Sequence, residues 1–254
     1  MLPVRDAIPT RYPPTVVWTL IAANILVFLF QISLPPRAEE VFLFSYGLIP
    51  SRYFGELKLS YPPQDLSDYL PFVSNMFLHG GWLHLILNMW TLWVFGPAVE
   101  DRVGLARFAM FYLVCGLVAS SVHAIANPNS VIPAVGASGA IAGVIGCYAR
   151  MFPFARLVMI VPILFIPLFF EIPALGFAAI WFLMQVIPGV FSLGQLSDVG
   201  GVAWWAHIGG FIAGWILAPV LRRARRTYRK YYPDEGVYGF LPDGRRQEGR
   251  GPWG

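Results

Sequence analysis

Residues 157–190, LVMIVPILFIPLFFEIPALGFAAIWFLMQVIPGV, decide the architecture. The run is long enough for one membrane crossing, at about 20 apolar residues each, plus a remainder. Pro162, Pro167 and Pro173, with Glu171 between them, interrupt its first half. Proline inside a helix removes a hydrogen bond and clashes with the preceding turn. If that half nevertheless crossed, the chain would have seven spans. The cluster Arg222-Arg223-Ala224-Arg225-Arg226 would then share a side with uncharged loops, against the positive-inside tendency. Leu157 to Phe170 is therefore expected to be interfacial or re-entrant, with a span following from about Ile172 to Val190.

Of the 254 residues, 57% are hydrophobic and 13% are charged, and the mean hydropathy is +0.60. That balance excludes an ordinary soluble domain. The other spans are expected over about 16–32, 82–99, 107–126, 138–152 and 202–221. Trp204 and Trp205 anchor the entry of the last at the membrane interface. The first lacks a small-x-small cleavage site and is expected to be a retained helix and not a signal peptide. The expected fold is an all-α polytopic membrane protein, a six-transmembrane-helix bundle with both termini cytoplasmic. Residues 1–14 form a cytoplasmic segment, 15–221 the membrane domain with a long outer loop over 35–81, and 222–254 a basic, disordered cytoplasmic tail able to touch anionic lipid. In that loop, Leu70-Pro71-Phe72 and Met76-Phe77-Leu78 are too apolar for a free linker and too short to span, so they are expected to lie in the membrane interface.

The net charge of +4 is concentrated, nine of the eighteen Lys and Arg lying at or beyond Arg222. It reports orientation and makes no case for nucleic acid. With six spans, only Arg37, Arg52 and Lys58 fall outside. Cys115 and Cys147 both sit in apolar helices as packing residues, too few for a disulfide framework or a metal site.

Polar groups inside spans are costly and by default face the bundle interior. Ser138 stands in Val135-Gly136-Ala137-Ser138-Gly139-Ala140, at a helix start where its own N–H is free to bind an oxyanion. Alone it reads as well as a packing serine. Six spans, however, put His207 at the same depth. His207, Gly210 and Gly214 share one face of the last span, while Gly139 and Gly143 form a small-residue stripe beside Ser138. These stripes permit the close approach that a nucleophile and its general base require. His84 and Asn88, four residues apart on the second span, can supply further oxyanion donors. His79 precedes that span and is expected to hold the first loop by bonding loop carbonyls. There is no His-Glu-x-x-His motif, and neither a metal nor another cofactor is expected. Asp198 and Glu171 are both badly placed to orient His207, so a dyad is expected and not a triad.

Together these residues resemble the rhomboid family of intramembrane serine proteases over about Val16 to Leu221. Gly136-Ala137-Ser138-Gly139 resembles the family's nucleophile motif and Ala206-His207-Ile208-Gly209-Gly210 its base motif. His79, His84 and Asn88 fit the spaced His, His and Asn of the second helix, and Glu100 and Arg102 the Glu-x-Arg at its inner end. The resemblance implies that Ser138 attacks a peptide bond in or beside a transmembrane segment of a substrate protein, that His207 carries the proton, and that His84 and Asn88 hold the oxyanion. Two features depart from the family. Asp68-Tyr69-Leu70-Pro71 stands where many members have a Trp-Arg pair, and Ala142 where many have an aromatic. The expected location is a bacterial inner membrane, with the site opening to the outer face. The alternative from another functional class is a non-proteolytic rhomboid-like factor that binds membrane proteins or acts in their quality control. A transporter is disfavoured, since no internal repeat and no charged residues run through the middle of several spans.

Overall fold

The computed structural model describes residues 2–55, 65–163, 166–192 and 203–221. Among the described residues, five helices are long and apolar enough to cross a membrane: α1 (Thr15–Ser33), α3 (Trp82–Val103), α4 (Leu105–Ala126), α6 (Ala174–Ser192) and α7 (Trp204–Leu221). The sixth member of the bundle, α5 (Ser138–Met151), has only 14 residues. It is also the innermost, every residue from Gly139 to Ala149 being buried. At 1.5 Å per residue it extends about 21 Å, shorter than a hydrocarbon core of about 30 Å, so one of its ends lies within the membrane depth. Irregular backbone is tolerated there only if protein satisfies its polar groups. The segment before Ser138 meets that condition through backbone bonds. Leu48 and Ala134 exchange a pair of 3.0 and 2.8 Å, Ser51 donates to Ser130 at 3.0 Å, and Gly136 donates to Asn75 at 2.8 Å.

The loop after α1 is partly helical. Proline at its first position starts α2 (Pro36–Tyr46), and a single turn follows at Pro71–Ser74. Met76 and Leu78 of that loop are buried in the protein. The Met76 side chain fills the space over Gly116 of α4, where any Cβ would overlap it.

The described residues of 157–170 do not form a helix. They build two antiparallel strands, β2 (Arg156–Ile163) and β3 (Ile166–Pro173), with Pro162 opposite Pro167. β-Branched and aromatic residues favour strand, and prolines near the strand ends take no donor from the ladder's middle. The expectation of a non-crossing segment thus acquires a definite form. The polar N-terminal segment contributes the third strand, β1 (Leu2–Asp6), antiparallel to β2 with Leu2 opposite Ile160 and a bulge between Pro3 and Arg5. Trp90 of α3 donates to the Pro3 carbonyl at 2.7 Å, and Tyr148 of α5 donates to the Asp6 carboxylate at 3.1 Å. Burial pushes the Asp6 carboxyl up to about 7, against the opposing effect of the Tyr148 hydrogen bond. The sheet therefore fastens the chain's beginning to the far end of the helix that begins with Ser138. The basic tail, and with it any lipid contact it makes, lies outside the described residues.

Candidate active site

Ser138 is the first residue of α5, so its N–H has no acceptor one turn earlier in the helix. Gly136 approaches it with φ +129°, a backbone conformation that favours glycine. A Cβ at Gly136 would stand 2.8 Å from His84 Nε2 and 3.6 Å from Asn88 Nδ2. Both donors thus converge on the backbone two residues before the serine.

His207 reaches Ser138 from α7, with Nε2 2.8 Å from Oγ. Glycine packing makes that distance attainable. α5 packs more extensively against α7 than against any other described element. A Cβ at Gly210 would overlap the Gly139 carbonyl oxygen, and one at Gly214 would overlap the Gly143 backbone. Gly139 is also closed on the other side by Ala119 of α4, and Gly143 by Cys115. Side chains at these positions would separate the two helices.

The other face of His207 meets α6. Its Nδ1 lies 2.8 Å from Gln185 Oε1, and its ring is tilted at 41° to that of Trp181 with centroids 5.9 Å apart. Neither residue belongs to a motif visible in the sequence. Trp181 and Gln185, both on α6, thus flank the imidazole on the side away from Ser138. A glutamine in an apolar span was the available signal, but only the rotation of α6 reveals its partner. Glu171 lies on β3 opposite Val158, in the sheet at the other end of α5.

His84 accepts from the Gly80 N–H through Nδ1 at 3.4 Å, which leaves the proton on Nε2, the atom facing Gly136. Asn88 is buried, and its Nδ2 has no hydrogen-bond partner among the described residues. An unsatisfied buried N–H is costly, so its position beside Gly136 calls for an acceptor there. The His79 ring is fully buried against Phe28 and His84 and interacts with the Phe77 carbonyl of the first loop, although neither ring nitrogen makes a close hydrogen bond among the described residues. The His79 backbone is held as well: Gln31 of α1 donates to its carbonyl at 2.8 Å and accepts from its N–H at 3.3 Å. Burial, reinforced by the neighbouring His84, depresses the His79 imidazole to about 4, so it is neutral at physiological pH.

At the opposite end, the Glu100 carboxylate accepts from the Val16 and Val17 N–H groups at 3.1 and 2.8 Å, capping the start of α1. The Arg102 guanidinium lies over the Phe152 ring at 5.0 Å. Neither approaches Ser138. The first loop, lacking the Trp-Arg pair, is anchored by the Leu48–Ala134 bridge and by Asn75, which donates to Ser120 at 3.0 Å while its carbonyl holds Gly136.

A rhomboid domain model matches residues 67–224. The chain is 27% identical over 85% of its length to "Rhomboid protein 1, mitochondrial" of Saccharomyces cerevisiae, and 27% identical over 85% to "RHOMBOID-like protein 5" of Arabidopsis thaliana. It is 32% identical over 62% of its length to "Rhomboid-like protease 5" of Toxoplasma gondii. It spans 57%, 71% and 17% of those three proteins respectively. The yeast relative's mitochondrial name lends no support to the bacterial inner membrane expected from the sequence. A multi-pass helical membrane protein whose matched region includes both Ser138 and His207, this chain belongs to the rhomboid family.

Proposed function

We propose that this protein is an intramembrane serine endopeptidase that cleaves membrane proteins in or beside their transmembrane segments. The observation that carries the reading is the 2.8 Å contact of Ser138 Oγ with His207 Nε2 inside a glycine-lined helix pair. Ser138 Oγ attacks the substrate carbonyl as its proton passes to His207 Nε2. The oxyanion takes hydrogen bonds from the Ser138 N–H, His84 Nε2–H and Asn88 Nδ2–H. Collapse breaks the C–N bond, and His207 returns the proton to the departing amine. Water then attacks the acyl-enzyme, again giving its proton to His207, and releases Ser138 and the carboxylic acid product.

The charge census supports both termini on the cytoplasmic face and a site opening to the outer one. In this reading residues 15–221 are the catalytic membrane domain, and the basic tail from Arg222 meets anionic lipid. Co-reconstitution with a model transmembrane substrate in vesicles tests the proposal. The parent protein is expected to cut the substrate near its outer membrane boundary. Ser138→Ala and His207→Ala, equally well folded, are expected to leave it intact. Cleavage by either variant at the parental rate would refute the proposal.

A further inference from the structure

We propose that Gln185 is the positioning residue of this site, holding His207 in the one tautomer that can deprotonate Ser138. The inference rests on the assignment of Ser138 as nucleophile and His207 as base. A base needs a lone pair on the nitrogen facing the nucleophile, so Nε2 must be bare and Nδ1 must carry the proton. The Nδ1–H then requires an acceptor, and Gln185 Oε1 stands 2.8 Å from it.

The orientation of the glutamine amide follows from its other contact. Gln185 Nε2 lies 3.2 Å from the Trp181 backbone carbonyl, four residues earlier on α6. An amide rotated by 180° would set its oxygen against that carbonyl oxygen and turn its N–H groups toward Nδ1. Only the orientation with Oε1 toward His207 satisfies both neighbours. It also fixes the whole relay: Gln185 accepts from Nδ1–H, and Nε2 accepts from the Ser138 hydroxyl. Trp181, one turn away on the same face, lies against the ring with centroids 5.9 Å apart.

The amide suits this place better than a carboxylate. Gln185 is 6% exposed on an otherwise apolar helix. An ionised carboxylate there would carry a large desolvation penalty. A neutral acceptor directs the tautomer without that penalty and explains why a polar side chain is kept in the span.

Three measurements on the full chain in detergent test this. In protein labelled with ¹⁵N-histidine, the His207 signal, assigned by its loss in His207→Ala, is expected to show Nδ1 protonated and Nε2 bare at neutral pH. In Gln185→Met, which keeps the volume and removes the acceptor, the tautomers are expected to mix. The Ser138 labelling rate at saturating fluorophosphonate should fall by about tenfold to a hundredfold, while the half-saturating concentration and Tm change little. Gln185→Glu, whose carboxyl in its neutral form restores an acceptor oxygen without the penalty of a buried charge, is expected to recover most of that rate. A wild-type spectrum with Nε2 protonated would overturn the proposal without recourse to any variant. So would a Gln185→Met protein that labels at the parental rate. Either result would leave the serine assignment standing, whereas labelling of Ser138→Ala would remove the nucleophile itself.

Discussion

The Gly139 carbonyl oxygen occupies the space that a Cβ on Gly210 would need. This contact sets the separation of α5 and α7, and through it the 2.8 Å reach from His207 to Ser138. Gly210→Ala should force the helices apart, at about 1–3 kcal/mol for overpacking, and reduce Ser138 reactivity by at least about tenfold. Gly176→Ala is the control, because a Cβ there meets only Pro173 at 4.0 Å. Melting curves and labelling rates should separate the two variants. A Gly210→Ala protein with parental values of both would show that the stripe does not set the distance.

Asp6 makes stability depend on pH. Its folded carboxyl is raised from 3.8 to about 7 by burial, so its stabilising contribution is complete below about pH 4 and is lost as pH rises through about 7. The strand should hold more loosely at pH 8.5 than at pH 5.5. Because the side chain is only partly buried, the difference should be about 1–2 kcal/mol, below the full linkage value. Asp6→Asn keeps an acceptor for Tyr148 without titrating, and its Tm should be flat over this range. Parallel pH profiles for parent and variant would exclude Asp6 as the cause.

Asn88 should act on the transition state. Its Nδ2 has no partner among the described residues and faces Gly136, so its removal breaks no hydrogen bond of the free protein made through that atom. Asn88→Ala should lower turnover by about one to three orders of magnitude with little change in apparent substrate affinity or Tm. A lower Tm with unchanged turnover per folded molecule would make Asn88 a packing residue instead.

The site should be reached from outside. Cys115 and Cys147 are buried, so background labelling by a polar thiol reagent should be low. A cysteine at Asn129, in the loop before Ser138, should react with an impermeant maleimide added to intact cells, and one at Gly249 should react only after permeabilisation. The opposite pattern would invert the topology.

Much of this was legible because membrane insertion imposes a simple pattern. Helices of about twenty apolar residues are visible in composition, and parity with the arginine census excluded a seventh span over residues 157–170. The strands were not legible there. An apolar run broken by prolines resembles a failed helix until its partner is known, and β1 pairs with residues some 150 positions later, Asp6 with Leu157. The depth match of Ser138 and His207 followed from topology and glycine spacing. The partner of Nδ1 did not, because it depends on the rotation of α6 about its axis. The tie between the His79 backbone and Gln31 was not legible either, because it depends on how α1 packs beside the loop.

The central claim is that Ser138 is a nucleophile made reactive by His207. Purified protein should be incubated with a fluorophosphonate and the adduct located by peptide mass spectrometry. One adduct is expected, on Ser138, absent in Ser138→Ala and slowed at least about a hundredfold in a folded His207→Ala protein. An adduct elsewhere, or equal labelling of Ser138 without His207, would contradict it.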